Sequence, residues 1–187
     1  MPIETFLAST GMIFVTELGD KTMITALCLS AQYRRPSVIL LATMLALTIS
    51  TTIAVVVGIV LAATLPVDII VYISGAMFIG LGVYTLIKND PEDDDSCDNP
   101  GTFLSIVSLI LFSELGDKSQ IATIALVVQS LFPIMVFAGA ILGFLIVNTI
   151  ATLLGNKIAN NIPIETVKKI AGLVFILFGV LIIFGIL

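Results

Sequence analysis

Apolar residues fill six long stretches of the chain, at 3–31, 36–64, 67–88, 102–130, 133–160 and 165–187. A helix needs roughly 17–25 such residues to cross a bilayer, and each stretch meets that length. The pattern predicts an all-α integral membrane protein with six transmembrane helices and little chain left for a soluble domain. The N-terminal MPIETF has no basic residue ahead of the first stretch. That first stretch reads as a retained span and not as a cleaved signal peptide.

Polar residues interrupt two of the stretches in the same way. TELGDKT begins at Thr16 and SELGDKS at Ser113. Each places a Glu and an Asp three residues apart at membrane depth, where a charge costs at least ~2.5–3.5 kcal/mol on insertion scales. The two strings belong to a longer repeat. An offset of 97 residues carries Glu17, Gly19, Asp20 and Lys21 onto Glu114, Gly116, Asp117 and Lys118 without a gap. The same offset carries Pro36 onto Pro133, Gly58 onto Gly155, Pro66 onto Pro163, Gly75 onto Gly172, Phe78 onto Phe175 and Gly82 onto Gly179. Shared hydrophobicity would match Leu and Ile; it would not match Pro, Gly and acidic positions in register. The chain therefore divides into a first repeat (1–90), an acidic linker (91–100) and a second repeat (101–187). Three spans per repeat is an odd number, so the second repeat enters the membrane from the opposite side. Inverted repeats of this kind place a transport site near the midplane, at the repeat interface.

Composition agrees with a membrane protein. Of the 187 residues, 58% are hydrophobic and 11% charged, against about 45–50% and 25% in soluble domains. The net charge of −5 resides largely in the run Asp90 to Asp98, and nothing in the sequence points to a nucleic-acid partner. Basic residues outside the motifs are Arg34, Arg35, Lys88, Lys157, Lys168 and Lys169. All flank the loops after spans 1, 3 and 5, which share one side. The positive-inside rule makes that side cytoplasmic, with both termini external and the acidic linker cytoplasmic. Cys28 and Cys97 form no disulfide framework and are expected as free thiols.

On a helix, an i, i+3 spacing puts both acids of each motif on one face. A two-fold axis in the membrane plane brings the two faces together, so Glu17, Asp20, Glu114 and Asp117 are the expected ligands of one divalent cation. Gly19 and Gly116 permit a kink or a close backbone approach. Thr22, Ser119, Gln120 and Asn148 offer neutral oxygens to complete the shell. Met23, which matches Gln120, offers a thioether or simply fills space. Lys21 and Lys118 cannot ligate a cation and are assigned an electrostatic or structural role. Thr51, Thr52 and Thr149 stand at mid-span with Asn148, and ordinary interhelical hydrogen bonding also accounts for all four. Four carboxylates and two lysines leave −2, which a divalent ion neutralises. Without it, burial and like-charge repulsion favour protons on some of the acids. Metal and protons then compete for the same oxygens. The sequence has no His, and no Cys in either motif; such oxygen donors suit magnesium, calcium or manganese.

The pattern E-Φ-G-D-[KR]-[TS], present twice in a six-span chain with an acidic central loop, resembles a family of small cation/proton exchangers. That family includes the Golgi manganese and calcium transporters of eukaryotes and bacterial manganese exporters. The resemblance covers nearly the whole chain, and both motif copies fit without departure. It implies transport of manganese or calcium with the motif acids as ligands, and no prosthetic group. The short chain is similar to the bacterial branch, which implies manganese export across the inner (plasma) membrane in exchange for protons. Calcium/proton exchange and a passive cation channel stand as alternatives. An enzyme reading, an intramembrane aspartyl protease built on Asp20 and Asp117, is remote, because each Asp comes with a Glu and a Lys and the protease-type GxGD is absent. Oligomeric state is left open.

Overall fold

The computed structural model describes residues 1–18, 20–87, 102–159 and 164–184, and its regular secondary structure is entirely helical. Eight helices follow one another among the described residues: α1 (Pro2–Glu17), α2 (Lys21–Tyr33), α3 (Pro36–Thr64), α4 (Val67–Ile87), α5 (Phe103–Glu114), α6 (Lys118–Gln129), α7 (Pro133–Ala159) and α8 (Ile164–Ile183). The six apolar stretches account for all eight. The first is divided into α1 and α2, and the fourth into α5 and α6, each division falling inside the ELGDK motif. Pro2, Pro36 and Pro133 open α1, α3 and α7, where a residue without an N–H costs no helical hydrogen bond.

Among the described residues two helices, Pro36–Thr64 and Pro133–Leu153, are long and apolar enough to cross a membrane; shorter apolar helices run over Val71–Ile87, Phe103–Glu114 and Gly172–Ile183. Beside an apolar core, several polar side chains are buried and many large apolar ones exposed. Glu17, Glu114, Ser50, Thr123, Asn148 and Thr152 are buried, while Leu41, Leu45, Ile49, Ile53, Val56 and Val60 form an exposed apolar stripe along α3. Exposed apolar surface on this scale marks contact with a nonpolar medium or partner.

The two repeats interlock. α1 packs on α7 while α5 packs on α3; α2 packs on α7 while α6 packs on α3; α4 packs on α8. Close approaches give the helix directions. Ser9 Oγ donates to the Val136 carbonyl, and Gly143 lies against Thr10 and Ile13, so α1 and α7 run parallel. Gln120 reaches Ser50 and Gly58 lies against Val127, so α3 and α6 run parallel. Gly75 faces Gly179 and Gly82 faces Gly172, so α4 and α8 run antiparallel. In that pair each glycine meets the other's repeat equivalent. A Cβ added at Gly82 would stand 2.6 Å from the Gly172 carbonyl oxygen, so the backbones touch. Phe78 and Phe175, themselves equivalent under the offset of 97, meet with ring centroids 6.0 Å apart.

Cys28 corrects an expectation. It is half-buried on α2 and disulfide-bonded, not a free thiol. Two cysteines far apart in sequence carry no signal of their distance in the fold. Cys97 and the 91–100 linker lie outside the described residues, as do the repeat boundaries at 90 and 101.

Candidate cation site

The first helix of each broken pair stops at the motif glutamate, and the second starts just after the motif aspartate. Leu18 and Leu115 take extended backbone angles. Asp20 and Asp117 then act as N-caps with nearly the same conformation, φ −81°, ψ 165° and φ −76°, ψ 168°. A break among apolar helices must satisfy its own backbone. Here the Asp20 N–H donates to the Glu17 carbonyl and the Asp117 N–H to the Glu114 carbonyl, both at 3.2 Å. In the second break Gly116 has φ +83°, a left-handed angle that favours glycine. No atom lies within 4 Å of where its Cβ would be, so the requirement is conformational and not steric. The Gly116 N–H donates to Gln120 Oε1 at 2.7 Å. Gly19 lies outside the described residues. The N-terminus of α6 brings the positive end of a helix dipole to Asp117, and the C-termini of α1 and α5 end at the glutamates; the breaks therefore concentrate both charge and backbone polarity at one level.

Glu17, Glu114 and Asp117 converge, with one carboxylate oxygen of each within 4.8 Å of the others. Glu17 and Glu114 are each only 1% exposed. Glu114 is held by donors: the Thr22 hydroxyl, from the other repeat, donates to Oε1, and Ser119 Oγ donates to Oε2 at 3.4 Å, a long bond. Neither oxygen of Glu17 has a partner within 3.5 Å among the described residues, although the Ser119 hydroxyl stands beside it. A buried carboxylate without donors is costly; it must bind a proton or a cation.

Asp20 is not one of these three, but it stands near enough to Glu17 for their charges to interact. Its Oδ1 accepts from Lys118 Nζ at 3.2 Å, an ion pair across the repeats. The Lys21 side chain lies outside the described residues. Met23 is buried in an apolar cluster with Ala26, Leu29, Ile39 and Val147. Its repeat equivalent Gln120 uses Oε1 for Gly116 and Nε2 for Ser50 Oγ at 3.2 Å. Asn148 donates from Nδ2 to the Phe144 carbonyl at 2.9 Å, and its buried Oδ1 has no hydrogen-bond partner among the described residues. Thr51 and Thr52 bond the carbonyls of Leu47 and Thr48 in their own helix, not a neighbouring helix. Thr16 and Ser113 likewise bond the carbonyls of Ile13 and Ile110. Nothing in the sequence singles out Ser50 or the buried, unbonded hydroxyl of Thr43. Their repeat equivalents are Val147 and Ala140, so duplication of a polar residue, the signal that marks the motifs, is missing at both.

The arrangement can hold a cation on oxygen alone and can hold protons on the same oxygens. Comparisons with known proteins give the family. The family model described as "Divalent cation/proton antiporter GDT1" matches residues 5–93 and 102–186. A Vibrio cholerae protein named as a candidate manganese exporter is 30% identical over 166 residues, covering 88% of this chain and 83% of that protein. A GDT1-like protein of Synechocystis is 34% identical over 202 residues, covering 95% of this chain and 96% of that protein. The chloroplastic PAM71-homolog of Arabidopsis thaliana is 32% identical over 216 residues; they cover 97% of this chain but 59% of the plant protein. No solved structure matches. The chain belongs to the GDT1 family of divalent cation/proton antiporters and is a transporter, not an enzyme.

Proposed function

We propose that the protein moves a divalent cation, manganese in preference to calcium, out of the cytoplasm across the inner membrane in exchange for protons. The observation that carries this reading is the carboxylate of Glu17, buried beside those of Glu114 and Asp117 with no partner within 3.5 Å among the described residues. A cation bridging the three acids satisfies it in one state, and a proton satisfies it in the other. Such sharing makes the two cargoes exclude each other. An all-oxygen site suits manganese, magnesium or calcium. The name of the Vibrio cholerae relative favours manganese.

The membrane arrangement that fits is six alternating spans in two inverted repeats. Alternation along the chain makes span 1 parallel to span 5, span 2 parallel to span 4, and span 3 antiparallel to span 6. The directions of α1 with α7, α3 with α6 and α4 with α8 follow that scheme. The loops bearing Arg34 and Arg35 face the cytoplasm on the positive-inside rule, and the turn at Pro66 faces outside. Single cysteines introduced at Arg34 and Thr64 in a background lacking Cys28 and Cys97 test this: impermeant reagent added outside should label the second and spare the first.

In the cycle, a cation from the cytoplasm displaces protons from the three acids. The helices rearrange at the two breaks, and protons entering from outside return to the carboxylates and release the ion. Coupling requires that the empty, deprotonated site cross rarely; its bare charge in a low-dielectric interior supplies that barrier. The test is metal competition in proteoliposomes. Manganese uptake should be suppressed more by unlabelled manganese than by equal calcium, and cells lacking the protein should become sensitive to added manganese. Stronger suppression by calcium would assign calcium as the cargo.

A further inference from the structure

Two side chains on the long, unbroken helices are buried with an oxygen uncommitted. Thr43 of α3 and Asn148 of α7 are each 0% exposed, and neither Thr43 Oγ1 nor Asn148 Oδ1 has a hydrogen-bond partner among the described residues. Thr48, Thr51, Thr52 and Thr64, also on α3, each donate to the carbonyl one turn back; Thr43 does not. Asn148 has Nδ2 on the Phe144 carbonyl, which leaves Oδ1 as the end to be satisfied. Buried polar atoms nearly always have a partner, so each exception calls for a ligand or an ordered water.

Helix register brings both to Glu17. Ile13, Leu47 and Phe144 belong to one apolar cluster. Along α7, Gly139 lies against Phe6 and Ser9, and Gly143 against Thr10 and Ile13. The next turn of α7, which carries Asn148, therefore stands level with the end of α1 at Glu17. The helix α3 runs antiparallel to α7: Ala42 and Ala46 join Val147 and Ala151 in a second cluster, while Leu47 joins Phe144 and Ala140 in the first. Glu17, Thr43 and Asn148 are thus each one turn from Ile13, Leu47 and Phe144, and all on the same side of that cluster. A step of four residues keeps a side chain on one helix face.

We propose that Asn148 Oδ1 and Thr43 Oγ1 are neutral ligands of the cation held by Glu17, so that the site extends from the broken helices onto α3 and α7. The inference deepens the proposed antiporter and rests on that reading. Carbonyl and hydroxyl oxygens suit a hard divalent ion. The neutral groups of the second motif are engaged elsewhere: Ser119 donates to Glu114, as Thr22 does, and Gln120 bonds Gly116 and Ser50. The repeat equivalents of Thr43 and Asn148 are Ala140 and Thr51, and Thr51 is bonded to its own helix. The two free oxygens therefore belong to the Glu17 side of the site. Neither titrates, so they hold the ion without adding a place for a proton, and release stays with the acids.

The test measures manganese affinity by calorimetry on the purified, full-length protein at mildly alkaline pH, where protons compete least. Asn148→Ala should weaken binding about tenfold or more and Thr43→Val about fivefold, while Asn148→Asp and Thr43→Ser, which keep an oxygen in place, bind within about threefold of wild type. Ala and ionised Asp both lack the Nδ2 donor, so a purely structural role for Asn148 predicts equal losses in the two variants; equal losses overturn the proposal. Wild-type affinity in either Asn148→Ala or Thr43→Val also overturns it, and would give the oxygens to a buried water. If Asn148→Ala does not fold, the other variants decide: retained binding in Asn148→Asp with loss in Thr43→Val supports the proposal, and any other pattern overturns it. A wild type that binds neither manganese nor calcium would overturn the antiporter reading itself, whereas a wild type that binds no better than Asn148→Ala and Thr43→Val removes the two ligands alone.

Discussion

Glu17 and Glu114 hold the same place in two nearly identical motif copies and are buried alike, yet their surroundings differ. Glu114 receives hydroxyl donors from Thr22 and Ser119, while Glu17 has no partner within 3.5 Å among the described residues. Next to them, Met23 is buried in an apolar cluster where Gln120 ties Gly116 to Ser50. The difference teaches that duplication supplied the charges and divergence supplied the roles. One carboxylate is held in place by hydroxyl donors. The other is left to the cargo.

The largest effect should come from removing either charge. Glu17→Gln and Glu114→Gln should each lower manganese flux by about 100-fold or more, as uncompensated changes in a buried charged network do. The comparison breaks if one of them transports normally. Next comes the support of Glu114. Thr22→Val keeps the shape and removes the donor, which should cost about tenfold in flux, since an unmet buried acceptor is worth roughly 1–3 kcal/mol. Ser119→Ala, with its longer bond, should cost less, about threefold. Equal losses at Thr22 and Ser119 would mean the two hydroxyls share Glu114 evenly.

Much of this was legible before any coordinates. The six apolar stretches marked where the helices lie, and the gapless offset matched Gly75, Phe78 and Gly82 with Gly172, Phe175 and Gly179 without saying that α4 and α8 would meet there. The breaks within the first and fourth stretches were not legible as helix ends. Hydropathy carries on through Leu18 and Leu115, and only Gly19 and Gly116 hinted at a bend. The ion pair of Asp20 with Lys118 across the repeats could not be read at all. Ser50 escaped notice because a lone serine in an apolar helix is unremarkable until Gln120 is seen bonded to it.

Smaller effects sharpen the comparison further. Gln120→Met makes the second copy resemble the first and strips the Gly116 N–H of its acceptor. Flux should fall about fivefold, for a cost of about 1 kcal/mol, and a thermal-shift assay should show a lowered melting point. An unchanged melting point would mean that the left-handed turn at Gly116 needs no such tie. At the bottom of the scale, Thr52→Val should stay within about twofold of wild type, because its exposed hydroxyl serves only the Thr48 carbonyl and surface changes of this kind are worth under about 0.5 kcal/mol. A larger loss in uptake assays would place Thr52 on the path of the ion.

The account turns on one carboxylate cluster serving two cargoes. The direct measurement follows manganese and internal pH together in proteoliposomes that hold the wild-type protein. Manganese entering should drive protons out, an imposed pH gradient should accelerate or reverse manganese movement according to its sign, and Glu17→Gln should abolish both. Manganese flux that ignores the pH gradient and moves no protons would contradict it and make the protein a passive cation pathway.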